Sequence, residues 1–149
     1  GQDPCFQENP TLQIGDGGET FVPIEANSSV IMTHGPQGGW HMLASVKVSH
    51  TDSIVTIHYQ IHTVPENALI SDNQYRVLLK EVDCDGTYWN MYGYLNVTDI
   101  SQGDLDTPPE LLCNKQLRLS MDAEDGHGQK ASNEVLVIAA PDPADTCGS

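Results

Sequence analysis

The fold is decided by residues 40–63, which read WHMLASVKVSHTDSIVTIHYQIHT. Apolar and polar residues alternate over 40–49 and again over 53–63, on either side of a short polar link. A period of two is the pattern of a half-buried β-strand, because successive side chains of a strand point to opposite faces. The alternation predicts two amphipathic strands whose buried faces carry Val46 and Ile57.

The link between these two strands predicts that they pair as a hairpin. Buried positions must oppose buried positions when two strands share one sheet, and this condition requires a loop with an even number of residues. The resulting register pairs Val46 with Ile57 and, on the outward polar face, His41 with His62.

The rest of the chain repeats this pattern, with short apolar runs separated by clusters of Gly, Pro, Asn and Asp. Many short strands between turns are typical of an all-β domain. Further strands are predicted over 11–14, 21–24, 29–33, 75–82, 117–121 and 134–139, together with an aromatic strand after Gly86. The sequence therefore predicts an immunoglobulin-like antiparallel β-sandwich of eight or nine strands. We expect one domain over residues 1–149, with loop-like ends at 1–10 and 141–149.

Asp85-Gly86 predicts a second hairpin, because Asp-Gly between apolar segments favours a two-residue turn. This turn pairs Val82 with Trp89. The strand after the turn carries four aromatic residues, Tyr88, Trp89, Tyr92 and Tyr94. Alternation puts Trp89 on one face and the three tyrosines on the other, so one set belongs to the core. The other set could form a carbohydrate or peptide platform, although aromatic residues on a sheet serve packing more often.

The chain is strongly acidic, with 21 Asp and Glu against 6 Lys and Arg and a net charge of −15. A surface of this charge repels a phosphate backbone, and the basic residues form no stripe along the sequence, so nucleic-acid binding is excluded. The longest apolar run, residues 135–140, is far too short to cross a bilayer. We therefore expect a mature, soluble chain with no membrane span.

The four cysteines, Cys5, Cys84, Cys113 and Cys147, form no C-x-x-C pair and have no His at the spacing of a zinc finger. An even number of cysteines in such a chain predicts two disulfides made in an oxidising compartment, so we expect a secreted, periplasmic or cell-surface protein. Three connectivities are possible. We expect Cys5–Cys147, because chain termini often lie close together, and Cys84–Cys113, because both cysteines flank predicted strand ends.

The segment GPQGGWH at 35–41, preceded by GETFVPI at 18–24, resembles a group of secreted proteins and lipoproteins of myxobacteria and related bacteria. Those proteins tend to carry a Gly-Pro-Gln-Gly-x-His segment before a strand and an Asp-Gly turn, like the one at 125–126, before a Val-rich last strand. The similarity is strongest over 12–50 and looser over 117–139. It implies an extracytoplasmic β-sandwich and supplies no catalytic residue. The two expected disulfides set this chain apart from the lipid-anchored members.

The sequence contains no catalytic signature such as Gly-x-Ser-x-Gly or Ser-x-x-Lys, so we predict neither an enzymatic activity nor a cofactor. Two acidic turns, at 83–86 and 122–126, lack the spacing of an EF-hand calcium loop and are typical of plain turns. We expect a secreted, non-enzymatic recognition or structural module. Its ligand would be an unknown protein or carbohydrate at the cell surface.

Histidines on the predicted outward face suggest an alternative function. The hairpin register places His41 opposite His62, with His58 further along the same strand and His34 across the glycine-rich segment. Opposed Cβ atoms lie about 4.5 to 5.5 Å apart, close enough for two imidazoles to share one Zn or Cu ion. The alternative prediction is an extracytoplasmic transition-metal-binding protein, although a histidine on a solvated face is more often a plain surface residue.

Overall fold

The computed structural model describes residues 4–34, 40–95 and 112–143. In these residues the chain forms one short 3-10 turn and nine β-strands. The 3-10 turn spans Pro4–Gln7, and the strands are β1 (Thr11–Asp16), β2 (Ser28–His34), β3 (Trp40–Ser49), β4 (Ile54–Thr63), β5 (Leu69–Leu78), β6 (Lys80–Val82), β7 (Asp85–Tyr94), β8 (Gln116–Asp125) and β9 (Lys130–Pro141). The predicted all-β, immunoglobulin-like sandwich is confirmed.

The strands form two sheets that face each other across one core. Sheet 1 contains β1, β3, β7 and β6, and sheet 2 contains β5, β4, β8 and β9. Strand β2 belongs to both sheets, because residues 28–32 pair with β9 whereas Thr33 and His34 pair with β3. In the described part of the chain every strand pair is antiparallel except β2–β9, which is parallel.

The core lies between the inward faces that the alternation predicts. Val46, Ile57 and Tyr59 are fully buried. The Tyr59 hydroxyl crosses the core and donates a hydrogen bond to the carbonyl of Met42 in sheet 1, at 3.2 Å. Burial, with a smaller contribution from Tyr75, raises the pKa of Tyr59 far above its usual range. The buried phenol therefore stays neutral, and its hydroxyl has a hydrogen-bond acceptor.

The predicted hairpin between β3 and β4 is wrong. In sheet 2, β4 pairs with β5 and β8, and Ile57 lies opposite Tyr75. In sheet 1, β3 pairs with β1, β2 and β7, and Val46 lies opposite Tyr88. Residues 50–53 carry the chain from one sheet to the other. Alternation is satisfied equally well by two strands in facing sheets, and the sandwich uses that arrangement.

The predicted Asp-Gly turn at 85–86 is wrong by two residues. The turn is formed by Asp83 and Cys84, which have φ angles of 52° and 69°. A two-residue type I′ turn requires positive φ at both of its central residues. Val82 therefore pairs with Asp85, the first residue after the turn.

Two irregularities move side chains to a face or sheet other than the predicted one. Leu79 separates β5 from β6, so the single strand predicted over 75–82 contributes to both sheets. In β7, Asn90 has a φ of 59° and the pairing register with β3 shifts beside it. The shift turns Tyr88 toward the core, whereas Tyr92 stays on the outward face and is exposed.

The remaining strand predictions differ in outcome. The runs at 117–121 and 134–139 lie inside β8 and β9. The run at 21–24 forms only an isolated bridge between Gly15 and Pro23. The glycine-rich segment 35–39 lies outside the described residues.

The predicted disulfide pairing is wrong. Cys5 is bonded to Cys84, with their Cα atoms 5.1 Å apart, so neither Cys5–Cys147 nor Cys84–Cys113 forms. Cys113 is also disulfide-bonded, and Cys147 lies outside the described residues. The bond holds the 3-10 turn against the β6–β7 turn, where His50 Nδ1 also donates a hydrogen bond to the carbonyl of Cys5 at 2.9 Å. The tertiary fold thus brings the N-terminal segment to a turn rather than to the other chain end.

Candidate functional site

The edges of the two sheets differ in how they are protected. An exposed edge presents unpaired backbone N–H and C=O groups that can pair with another chain. Strand β6 pairs only with residues 85–87 of β7. Further along β7, side chains of β5 cover the edge. The Tyr75 hydroxyl donates to the carbonyl of Tyr92, and Asn73 Oδ1 accepts a hydrogen bond from the N–H of Tyr94 at 3.5 Å. These contacts blunt the edges of both strands.

Two further edges are protected in other ways. Asn133 of β9 donates its side-chain N–H to the carbonyl of Leu12 at 2.9 Å, which covers part of the β1 edge. Strand β6 is three residues long and carries Lys80 and Glu81. A short strand with charged side chains is a common way to prevent edge pairing.

Within residues 4–34, 40–95 and 112–143, no such protection covers the edge of β2. One side of residues 28–32 pairs with β9. On the other side, residues 29–32 have no strand partner within the described part of the chain. This stretch, Ser29-Val30-Ile31-Met32, contains no proline and no charged residue. It is therefore an open template for strand pairing.

A groove of about 600 Å³ lies along this open edge, and we call it the β2 groove. One wall is β2 and the other is the segment 16–25 that follows β1. Six apolar side chains line the groove: Val22, Pro23, Ile24, Val30, Ile31 and Leu43. Val22 and Ile31 are 50% and 48% exposed, although both are large and hydrophobic. The groove thus combines free backbone groups with apolar surface.

The local sequence explains why the groove is open. The N–H of Asp16 donates to the carbonyl of Val22 at 3.0 Å, which ties the far wall to β1. A turn then joins this wall to β2, with a hydrogen bond from the N–H of Ser28 to the carbonyl of Glu25 at 3.2 Å. Asn27 has a φ of 66° in this turn. Beyond the turn each wall is bonded to a different sheet, the far wall to β1 and β2 to β9.

The charge at the rim of the β2 groove is acidic. Asp16 and Glu25, both on the far wall, have exposed side chains. Asp16 Oδ1 accepts a hydrogen bond from the N–H of Gly18 at 3.0 Å. Among the described residues, no Lys or Arg lines the groove.

The histidines of the metal-site prediction do not come together as expected. His41 lies in sheet 1 opposite Thr33 and Tyr94, whereas His62 lies in sheet 2 opposite Arg118. The predicted cross-strand pair is therefore wrong, because β3 and β4 do not share a sheet. Burial lowers the pKa of His41, against a smaller effect of Asp142. Burial and the nearby Arg118 likewise lower the pKa of His62, so each imidazole favours its neutral form.

The other two predicted histidines have separate partners. His58 Nε2 forms a hydrogen bond with Asp72, and His58 lies directly opposite Asp122 in sheet 2. His34 stacks on Trp40 with ring centroids 4.6 Å apart. Within residues 4–34, 40–95 and 112–143, no three His, Cys, Asp or Glu side chains gather as a potential metal site.

The aromatic strand divides between core and surface. Tyr88 packs against the core. Tyr92 and Tyr94 stack on the outer face of sheet 1, with centroids 5.6 Å apart, and are 40% and 58% exposed. His41 lies edge-on against Tyr92, with ring centroids 4.7 Å apart. The exposed part of the predicted platform is therefore this one pair.

A larger depression of about 1140 Å³ lies over strands of sheet 2. Polar side chains such as Thr56, Gln74 and Arg76 line it. Strands β4 and β8, which form its floor, are paired on both sides, so it offers only side chains to a ligand.

The acidic segment at 122–126, where β8 ends, has a structural role. Asp125 is 6% exposed, and its carboxylate accepts hydrogen bonds from the N–H groups of Asp52, His127 and Gln129, each at 2.9 Å. These contacts fasten the β8–β9 turn to the link between β3 and β4. The interpretation of residues 122–126 as a turn is wrong for 122–125, which are the last residues of β8, and the turn follows Asp125.

Sequence reasoning missed the β2 groove. The signals were the absence of charge and proline over residues 29–32 and the Gly17-Gly18 pair after β1. A Cβ at Gly17 would lie 2.5 Å from the Cβ of Leu43, so glycine allows the far wall to lie close to sheet 1.

No protein-family model and no curated protein matches this chain. A solved structure with a similar course of the chain is that of the CooA pilin subunit from enterotoxigenic Escherichia coli. The two chains are 12% identical, with a TM-score of 0.40, and the match covers 89% of this chain and 99% of the other. Among the described residues, no helix is long and apolar enough to cross a membrane.

Proposed function

We propose that the protein is a secreted, non-enzymatic recognition module that binds an extended segment of another protein in the β2 groove. The bound segment adds as a strand to the open edge of β2. The observation that carries this proposal is that one side of residues 29–32 has no strand partner in the described part of the chain and lies beside apolar surface. The proposal gives the groove a binding role and no chemical step.

The dimensions of the groove suit a short strand. The open stretch of β2, from Ser29 to Met32, spans roughly 13 Å at the rise of a β-strand. In strand addition, main-chain hydrogen bonds supply affinity and alternate side chains supply specificity. Val30 and Ile31 line the groove on the β2 side, and Leu43 of β3 lines it as well. Apolar residues at every second position of the ligand would pack against these side chains.

A protein ligand fits this site better than a carbohydrate does. Sugar hydroxyl groups need hydrogen-bonding partners when they lose water, and the side chains of Val22, Ile24 and Leu43 offer none. A peptide strand matches both the free backbone groups and the apolar walls.

The disulfides support a location outside the cytosol. The Cys5–Cys84 bond joins residues 79 positions apart, and Cys113 is bonded as well. Such bonds form and persist in oxidising compartments and are rare in the cytosol.

Peptide binding tests the proposal. The probe is a capped seven-residue peptide, Gln-Val-Thr-Val-Gln-Val-Thr, with a fluorescent label, and we expect a Kd on the order of 100 µM by fluorescence anisotropy. Two further versions of the peptide carry N-methyl groups on alternate residues. One version blocks the N–H groups along one edge of the strand, and the other version blocks those along the opposite edge. Because β2 pairs with one edge of the ligand, one methylated version should lose binding and the other should retain more of it. Equal binding by both versions would refute strand addition.

A pair of protein variants locates the site. Ile31→Lys places a charge on the open edge, whereas Leu78→Lys places one at an apolar residue of β5 that is 67% exposed and lies outside the groove. We expect Ile31→Lys to abolish peptide binding and Leu78→Lys to preserve it. Both substitutions fall on exposed side chains, so both variants should fold. Unchanged binding to Ile31→Lys would show that the peptide binds elsewhere.

A further inference from the structure

Building on the proposed function, we infer that the β2 groove selects a basic strand. Its partner carries Lys or Arg on the face that alternates with its apolar residues, and a second copy of this chain is rejected. Three features of the described residues carry this inference: the charges on the rim, their spacing, and the charge of the whole chain.

The rim carboxylates are available to a ligand. Asp16 uses Oδ1 for the N–H of Gly18, which leaves its second oxygen free. Glu25 contributes its backbone carbonyl to the turn with Ser28, so its carboxylate has no role in the turn. Neither carboxylate forms an ion pair within the described part of the chain. A cationic side chain of the ligand would therefore displace only water from these carboxylates, and no ion pair within the described residues would have to break.

The spacing of these carboxylates suits a strand. The hydrogen bond from Asp16 to Val22 places Asp16 level with residue 22, and Glu25 lies three residues further along the same wall. Three residues of extended chain span roughly 10 Å. Lysines four residues apart on one face of a bound strand lie roughly 13 Å apart. Their long, flexible side chains can bridge the difference of roughly 3 Å between this spacing and that of the two carboxylates. Because Asp16 and Glu25 both line the groove, one bound strand can approach both carboxylates with its two lysines.

The net charge acts against self-association. A second copy would bring another −15 to the interface, and its own β2 edge, residues 28–32, contains no basic residue that could neutralise Asp16 or Glu25. Like charges brought together at an interface suppress binding, whereas an acidic surface attracts a basic partner over the Debye length. The open edge therefore favours a basic strand of another protein over a strand from a second copy of this chain.

The test compares three peptides that differ at two positions. They carry lysine, glutamine or glutamate at positions one and five of the probe described above. At 20 mM salt we expect the lysine peptide to bind about 3-fold to 10-fold tighter than the glutamine peptide, and the glutamate peptide to bind more weakly than either. The preference should shrink at 300 mM salt, because exposed ion pairs are screened.

Two double variants separate local from overall charge. Asp16→Asn with Glu25→Gln removes the rim charges and keeps the acceptor for Gly18. Asp83→Asn with Asp122→Asn removes the same charge from exposed sites outside the groove. We expect the first variant to bind the lysine and glutamine peptides equally, and the second to keep the preference for lysine.

The outcomes distinguish the inference from the function on which it rests. Equal binding of all three peptides to the wild-type protein would overturn the selection of a basic strand and leave strand addition intact. No binding of any peptide would overturn the proposed function itself. A dimer seen by sedimentation velocity that disappears in Ile31→Lys would show that a second copy is the occupant, and would overturn the inference.

Discussion

Tyr59 and Gly93 meet across the core of the sandwich. Ring atoms Cε2 and Cζ of Tyr59 lie 2.8 and 2.9 Å from the position that a Cβ atom would take at residue 93. Tyr59 is fully buried, and its hydroxyl is held by the carbonyl of Met42. The ring therefore cannot withdraw without breaking that hydrogen bond, and glycine is the residue that leaves it room.

We expect Gly93→Ala to destabilise the protein by about 1 to 3 kcal/mol, because the added methyl group overpacks a filled core. Gly126→Ala is the matched control, since a Cβ at residue 126 would meet no atom within 4 Å. Urea unfolding followed by circular dichroism measures both. Equal stabilities of the two variants would contradict the close contact between Tyr59 and residue 93.

Asp125 makes the free energy of unfolding depend on pH in the acidic range. Burial works to raise the pKa of its carboxyl, but hydrogen bonds from the N–H groups of Asp52, Gln129 and His127 outweigh it and lower the pKa. A lowered pKa in the folded state contributes stability above the unfolded value, and this contribution is lost as the pH falls through the folded value. We therefore expect the unfolding free energy to fall from about pH 4 downward.

The Asp125→Asn variant should lose about 1.5 to 3 kcal/mol at pH 7, because hydrogen bonds to a charged acceptor are removed. Its stability should depend less on pH below 4. Asp122→Asn, on an exposed residue of the same strand, is the control and should behave like the wild type. If the two variants lose stability equally, the carboxylate of Asp125 does not hold the two turns together.

The disulfide pairing can be checked by peptide mapping under non-reducing conditions. We expect one linked fragment that joins Cys5 to Cys84. Because Cys113 is bonded and four cysteines are present, we expect a second fragment that joins Cys113 to Cys147. A Cys84–Cys113 fragment would contradict this pairing. For a bond that closes 79 residues, the chain-entropy model gives a stabilisation of about 4.5 kcal/mol, which reduction should remove.

Adjacent residues of β3 test the assignment of its two faces. Val46 is fully buried, whereas Lys47 points outward and its ammonium lies 3.9 Å from the carboxylate of Asp85. We expect Val46→Asp to unfold the domain, because it buries an unpaired charge. Lys47→Asp should cost about 1 kcal/mol or less, as an exposed ion pair does. Circular dichroism distinguishes these results, and similar effects of the two substitutions would contradict the assignment.

For β3 and β4, the local sequence sets which residues form the strand and which side faces the core. The alternation over 40–49 and 53–63 predicts β3 and β4 almost to the residue, and it places Val46, Ile57 and Tyr59 in the core. These properties depend on the spacing of side chains along one strand. They can therefore be derived without knowing which other strands lie nearby.

Only the tertiary structure decided which strands pair and what lies at their edges. The buried faces of β3 and β4 satisfy the same alternation in one sheet or in two facing sheets, and the choice depends on β5, β7 and β8, which are distant in sequence. That choice separates His41 from His62. It also joins Cys5 to Cys84. Among the described residues it leaves one side of 29–32 without a strand partner, because β2 passes from one sheet to the other. Backbone pairing over long sequence separations leaves no local pattern, so the candidate binding site could not be predicted from the sequence.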